Sequence, residues 1–239
     1  MSELEDLRAK VADSCRILAR AGLVENVLGH VSARLDGGRM LIRCRGPHEH
    51  GLLFTEPADI HVVDWDGDGL PAGSPFRIPN ELAIHGELYK RRPEVNAVVH
   101  AHPPHALIAG LAELELRPVF GAYNMPAMHL AEEGVPVYPR PVLITRPELA
   151  HELIDAMAGK SVCIMRGHGV TVTGESVEQA TVRALDLDAL TRVTRELAAL
   201  GRLPDPVSAA DRAELPDVGG AINELYVWRY QRALLSRLP

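Results

Sequence analysis

Leu4, Leu7, Val11, Cys15 and Leu18 recur at spacings of three and four, the period of one buried helical face, and predict a helix over 3–22 that ends at Gly22. The pattern then changes to short β-type runs at 31–35 and 40–44, with Asp36-Gly37-Gly38 between them as a hairpin turn. A further strand is predicted over 60–63, ahead of the polar turn Asp66-Gly67-Asp68-Gly69. Asn80 stands where an N-cap belongs, before a helix over about 81–92 that Pro93 stops. Residues 95–101 form a nearly continuous apolar run and read as a buried strand, after which Pro103-Pro104 open a helix through about 111. The stretch to 135 shows no regular period. A helix near 147–158, a strand over 161–165, the turn Arg166-Gly167-His168-Gly169, a long helix over about 176–200 and a last one over about 220–236 complete the chain. Helices and strands interleave without a Ser/Gly-rich linker or repeat, so residues 1–239 are predicted to form one α/β domain.

Composition narrows the function classes. Apolar residues at 46% and charged residues at 24% suit a packed globular chain. The formal charge of −7, with no Lys/Arg stripe to neutralise phosphates, argues against a nucleic-acid partner. No stretch reaches the roughly 18 apolar residues of a membrane span, and the opening MSELEDLRAK is acidic where a signal peptide is basic, so no membrane partner and a cytoplasmic location are expected. Cys15, Cys44 and Cys163 are far apart and odd in number, which predicts reduced thiols rather than a disulfide framework.

Chemistry concentrates in three places. His100 and His102 are two apart at a strand end, so both imidazoles project from one face, either as a two-ligand metal clip or as a structural pair. His168 follows the strand over 161–165 in a turn flanked by glycines; it is a third ligand that leaves a coordination position open, or a plain turn residue. Glu81 opens a helix, where the dipole favours its ionised form; it is an acid/base carboxylate and metal ligand, or a helix-stabilising Glu. His85, one turn on, reads as a histidine packed behind the site.

Taken in order, Gly29-His30-Val31-Ser32-Ala33-Arg34, Asn80-Glu81, the His100/His102 pair and the Arg166–Gly169 turn resemble the class II aldolase/adducin family over nearly the whole chain. The resemblance implies a three-layer αβα fold with a largely antiparallel sheet, and a homotetramer with active sites at subunit interfaces. It also implies a divalent metal (Zn, Mn, Fe or Co) on His100, His102 and His168, with Glu81 as acid/base.

The family's sugar-phosphate aldolases hold phosphate with an Asn, a Thr/Ser-Gly loop and a Ser-Ser pair. Here those positions carry His30, Arg43-Cys44-Arg45-Gly46-Pro47 and Pro79-Asn80. Pro79 has no backbone N–H to offer a phosphate, whereas a guanidinium matches a carboxylate with two parallel hydrogen bonds. The chain is therefore similar to the family's metal-dependent decarboxylases, and a hydroxylated aromatic carboxylate such as 3,4-dihydroxyphthalate is the expected substrate. Expected contacts are Arg45, Arg43, Asn80 and Ser32, with His30 binding substrate or relaying a proton. Tyr226 and Tyr230 are expected to reach a neighbouring subunit's site or else to pack alongside Trp228. An aldolase acting on a non-phosphorylated or carboxylated substrate, and a non-catalytic adducin-like module, are the alternatives.

Overall fold

Gly37 and Gly38 take φ of 72° and 74°, the left-handed values that a tight hairpin needs. In the computed structural model, which describes residues 2–216 and 220–236, this turn joins β1 (His30–Leu35) to β2 (Arg39–Arg43), and β3 (Ile60–Asp64) extends the meander. The other edge of β1 pairs with β4 (Ala97–Ala101), followed by β7 (Gly169–Gly174), β6 (Val162–Met165) and the two-residue β5 (Val137–Tyr138). All pairings are antiparallel except β5 with β6. The largely antiparallel sheet that the resemblance implied is present, with one parallel edge.

Alternation along the strands divides the side chains between two apolar layers. Ala97, Val99 and Ala101 of β4 and Val31 and Ala33 of β1 pack with Val11 and Leu18 of α1 (Glu3–Arg20), Ala184 and Leu187 of α6 (Val177–Ala199) and Trp228 of α8 (Gly220–Leu235). Val98, Met40, Ile42 and Met165 face the other way, onto Ile84 and Leu88 of α2 (Leu82–Arg91) and Leu149 and Leu153 of α5 (Pro147–Met157). α3 (Pro104–Leu111) joins the first layer beside α6. The result is the three-layer αβα arrangement. Each fully buried Leu or Ile contributes roughly 1.5–3 kcal/mol, against about 0–1 kcal/mol for an exposed ion pair, so these two layers hold the sheet.

Three elements depart from the sequence expectations. Within the stretch read as irregular, Met125–Glu133 form α4: Asn124 accepts the Ala127 N–H at 3.0 Å, Pro126 occupies the first turn, and Ala127, Met128 and Ala131 pack with Phe120 and Leu190. An Asn cap followed by a first-turn Pro was a readable start signal. The second is β7, whose Thr171 and Thr173 are as buried as its valines, so polar positions there do not mark a solvent face. A short helix, α7 (Ala209–Ala213), was also not expected. The predicted last helix corresponds to α8, and all three cysteines are buried free thiols whose pKa burial pushes up to about 12.

Candidate metal centre

β4 ends at Ala101, placing His100 inside the strand and His102 just past it, where the His102 N–H donates to Leu23 O at 3.0 Å. The turn between β6 and β7 brings His168 alongside. Its N–H donates to Met165 O at 3.0 Å, and Gly167 takes a φ of 68° to make the turn. Gly169 lets β7 close on β4: a Cβ there would stand 2.3 Å from Ala101 O and 3.0 Å from His102 Cδ2. The rings of His100, His102 and His168 consequently have centroids 4.8, 4.9 and 4.9 Å apart, at interplanar angles of 81°, 68° and 85°. Three steeply inclined imidazoles thus surround one point.

Glu81 reaches that point from α2. It is the N-cap residue of the helix rather than its first helical residue, and Asn80 lies one position further out, exposed, which corrects the expected Asn80 cap. The Glu81 carboxylate caps nothing. Its Oε1 accepts the Ile144 N–H at 2.8 Å, and its Oε2 stands 3.4 Å from Nε2 of both His100 and His168. Burial pushes the carboxyl pKa up, but the adjacent His100 and His168 rings outweigh it and hold the group below the usual carboxylate range.

The donor set fits a metal. Glu81, His100, His102 and His168 each offer one ligand atom, all within 4.8 Å of one another. Nε2 of His168 is buried with no hydrogen bond, a condition that protein interiors seldom leave unmet. Burial, then the neighbouring His100 and His168, lowers the His102 pKa to about 3, so at neutral pH its ring is uncharged and its lone pair is free to ligate. Three imidazole nitrogens and a carboxylate suit a divalent transition-metal ion with bond lengths of about 2.0–2.2 Å.

Beside the centre, on the same sheet face, lies a buried polar chain. His30 pairs in register with His100 and Ser32 with Val98, and α2 crosses above them with His85 and Tyr89 one turn apart. His30 Nδ1 is 2.7 Å from His85 Nε2, His85 Nδ1 is 2.6 Å from Ser32 Oγ, and Ser32 Oγ is 2.7 Å from the Tyr89 hydroxyl. The His30 ring stacks on His100 at 4.9 Å. Burial, followed by the charges of His85 and His100, keeps the His30 pKa well below its ordinary value. Ser32 was expected to touch substrate, but it is fully buried and both its hydrogen bonds are made inside the protein, which removes it from the contact set. Tyr89 was not singled out from the sequence; its place four residues after His85 was the available signal.

The arginines divide. Arg43 is buried and ion-paired with Glu49, so its guanidinium is committed internally, a correction to its expected substrate role. Arg45 has no carboxylate partner among the described residues. Its Nη2 donates to Val27 O at 3.2 Å, in the loop that leads to Gly29. Gly29 itself lies against His100, since a Cβ there would be 3.1 Å from His100 O. Tyr226 and Tyr230 are 63% and 61% exposed while Trp228 is 3% exposed, and their helix packs on the side of the sheet opposite α2.

An αβα sheet carrying a three-histidine, one-glutamate cluster at its strand ends is the architecture of a class II aldolase-type protein. Residues 9–194 match the Class II Aldolase and Adducin N-terminal domain, and the chain belongs to that family. It is 44% identical over 232 residues to a 3,4-dihydroxyphthalate decarboxylase of Arthrobacter keyseri, covering 96% of this chain and 94% of the relative. A protein of the same name from Terrabacter sp. is 46% identical over 234 residues, covering 96% and 97%. Among solved structures, an aldolase II superfamily protein from Pseudomonas syringae superposes with a TM-score of 0.81 over 99% of this chain and 95% of its own, at 21% identity, which shows the shared fold.

Proposed function

We propose that this protein is a metal-dependent decarboxylase of a hydroxylated aromatic dicarboxylate such as 3,4-dihydroxyphthalate. The observation that carries the reading is a complete Glu81/His100/His102/His168 cluster in a chain 44% and 46% identical to two decarboxylases of that name. The intact cluster also sets aside a non-catalytic module.

His100, His102 and His168 would hold the divalent ion, with Glu81 as an exchangeable fourth ligand. When bound, that ion supplies a Lewis acid that stabilises negative charge on the substrate's oxygens. Arg45 anchors the carboxylate that is retained. Glu81, ionised and tethered by Ile144, takes the proton of the ring hydroxyl and returns it to the ring carbon bearing the departing carboxylate. The keto form so produced loses CO2. The electron pair of the broken C–C bond restores the aromatic ring, and the product phenolate recovers a proton from solvent. Asn80, exposed beside Glu81, is available for a polar contact.

We also propose a homotetramer with active sites at subunit interfaces, which would give the exposed Tyr226 and Tyr230 a partner's site to reach. No helix among the described residues is long and apolar enough to cross a membrane, and a cytoplasmic location fits that. The test is CO2 release when the purified protein is incubated with Mn2+ or Fe2+ and 3,4-dihydroxyphthalate, with elemental analysis to identify the metal and sedimentation to give the assembly. Cleavage of fuculose or ribulose phosphates, with no CO2 from any hydroxy-aromatic acid, would reject the assignment in favour of an aldolase.

A further inference from the structure

We infer that Ser32 and His85 are positioning residues that hold His30 in the tautomer protonated on Nε2, so that His30 offers substrate a hydrogen-bond donor and not a base. The role given to substrate rests on the decarboxylase reading; the tautomer rests on the hydrogen-bond chain alone.

The direction of the chain follows from its inner end. Tyr89 is buried, and the only described partner of its hydroxyl is Ser32 Oγ at 2.7 Å. The other polar groups beside the phenol are the Val98 backbone N–H and the Arg34 guanidinium, 4.8 Å over the ring, which offer donors and no acceptor. A buried hydroxyl proton left unpaired is unfavourable, so Tyr89 donates to Ser32. The Ser32 proton then goes to its one remaining partner, His85 Nδ1, 2.6 Å away, which must be bare to receive it. A neutral imidazole with a bare Nδ1 carries its proton on Nε2 and donates it, here to His30 Nδ1 at 2.7 Å. His30 Nδ1 is therefore an acceptor, and the ring's proton sits on Nε2. The opposite direction would leave the Tyr89 proton with no acceptor among the described residues. No side chain in the chain needs to be charged.

His30 Nε2 hydrogen-bonds none of the described residues, and its ring stacks on His100, so this N–H is what the chain presents at the metal centre. Its natural partner is an anionic oxygen, either the leaving carboxylate or the ring oxygen that becomes negative as the C–C bond breaks. Proton transfer then stays with Glu81, and no second base competes for the ring hydroxyl.

The experiment is long-range 1H–15N correlation on protein labelled with 15N-histidine and loaded with diamagnetic Zn2+, with the His30 signals assigned from their loss in His30→Gln. The expected wild-type pattern is a pyridine-type Nδ1 and a pyrrole-type Nε2 on His30. Tyr89→Phe should keep that pattern, because Ser32 still donates to His85, whereas Ser32→Ala should give mixed or inverted tautomers. Turnover supplies the second readout. His30→Gln places an amide N–H near the same position and should retain activity within about 10-fold, while His30→Ala should lose 100-fold or more. A wild-type His30 protonated on Nδ1, an unchanged pattern in Ser32→Ala, or equal losses in His30→Gln and His30→Ala would each overturn the inference. Wild-type protein that releases no CO2 would defeat the decarboxylase reading and leave the tautomer result standing.

Discussion

Glu81 is tethered to Ile144, whose backbone N–H donates to Oε1 at 2.8 Å across 63 residues of sequence. That bond turns the carboxylate away from its own helix, so the second oxygen faces His100 and His168. A residue type that ordinarily stabilises a helix's first turn is directed here into the candidate metal centre.

Glu81→Gln tests this division of labour. The amide oxygen still accepts from Ile144 while the charge and the exchangeable proton are lost, so turnover should fall by about 10²–10⁴-fold. The melting temperature and the bound metal should change little, because three imidazoles remain. Near-normal CO2 release from this variant would remove Glu81 from the chemistry.

Replacing any one of His100, His102 or His168 by Ala should abolish stable metal binding, measured by elemental analysis after gel filtration, and activity with it. Chelation of the wild-type protein should have the same effect, reversed by adding back a divalent ion. Full activity in the metal-stripped protein would contradict the centre as described.

Arg43 and Arg45 should separate stability from binding. Arg43→Ala removes the ion-pair partner of the half-buried Glu49, which keeps only the Gly51 N–H, and is expected to destabilise the fold by about 1–3 kcal/mol, read as a lower urea midpoint. Arg45→Ala should leave that midpoint within error and raise KM for the dicarboxylate by about 10–100-fold, in line with losing one charge-assisted contact. Reversed outcomes would mean that the two arginines have been given each other's roles.

Gly169→Ala adds one carbon, 2.3 Å from Ala101 O. The start of β7 must move away from β4, shifting His168 relative to His100 and His102. Weaker metal affinity, measured by competition with a chelator, should accompany a lower melting temperature. Unchanged affinity would show that the turn can absorb the carbon.

Acidification should destabilise the metal-free protein. Burial first, then the charge of His100, lowers the His85 pKa from 6.5 to about 3, and burial with His100 and His168 does the same for His102. Between those values the unfolded chain binds protons that the folded one does not, so stability increases with pH. This contribution is complete above about pH 6.5 and is lost as the pH falls toward 3. Denaturation midpoints at pH 7 and pH 4.5 should show the drop; a higher midpoint at pH 4.5 would exclude it.

The sequence by itself determined most of the elements and the shared face of two candidate ligands. Period-3.6 and period-2 patterns marked α1, α2, α5, α6 and the β1–β2 hairpin, because one-sided burial imposes those spacings locally. The two-residue step from His100 to His102 fixed a shared face, since side chains on a strand alternate. Only the tertiary structure decided that His168 joins them, because the β4–β7 pairing that brings it close links segments about 70 residues apart through backbone hydrogen bonds that carry no side-chain signature. It likewise decided that Ser32 belongs to a buried chain with His85 and Tyr89, and that Arg43 is spent on Glu49 while Arg45 is not. A hydroxyl or a guanidinium has the same identity in a site and in a core; which of the two it serves is set by the neighbours that folding brings to it.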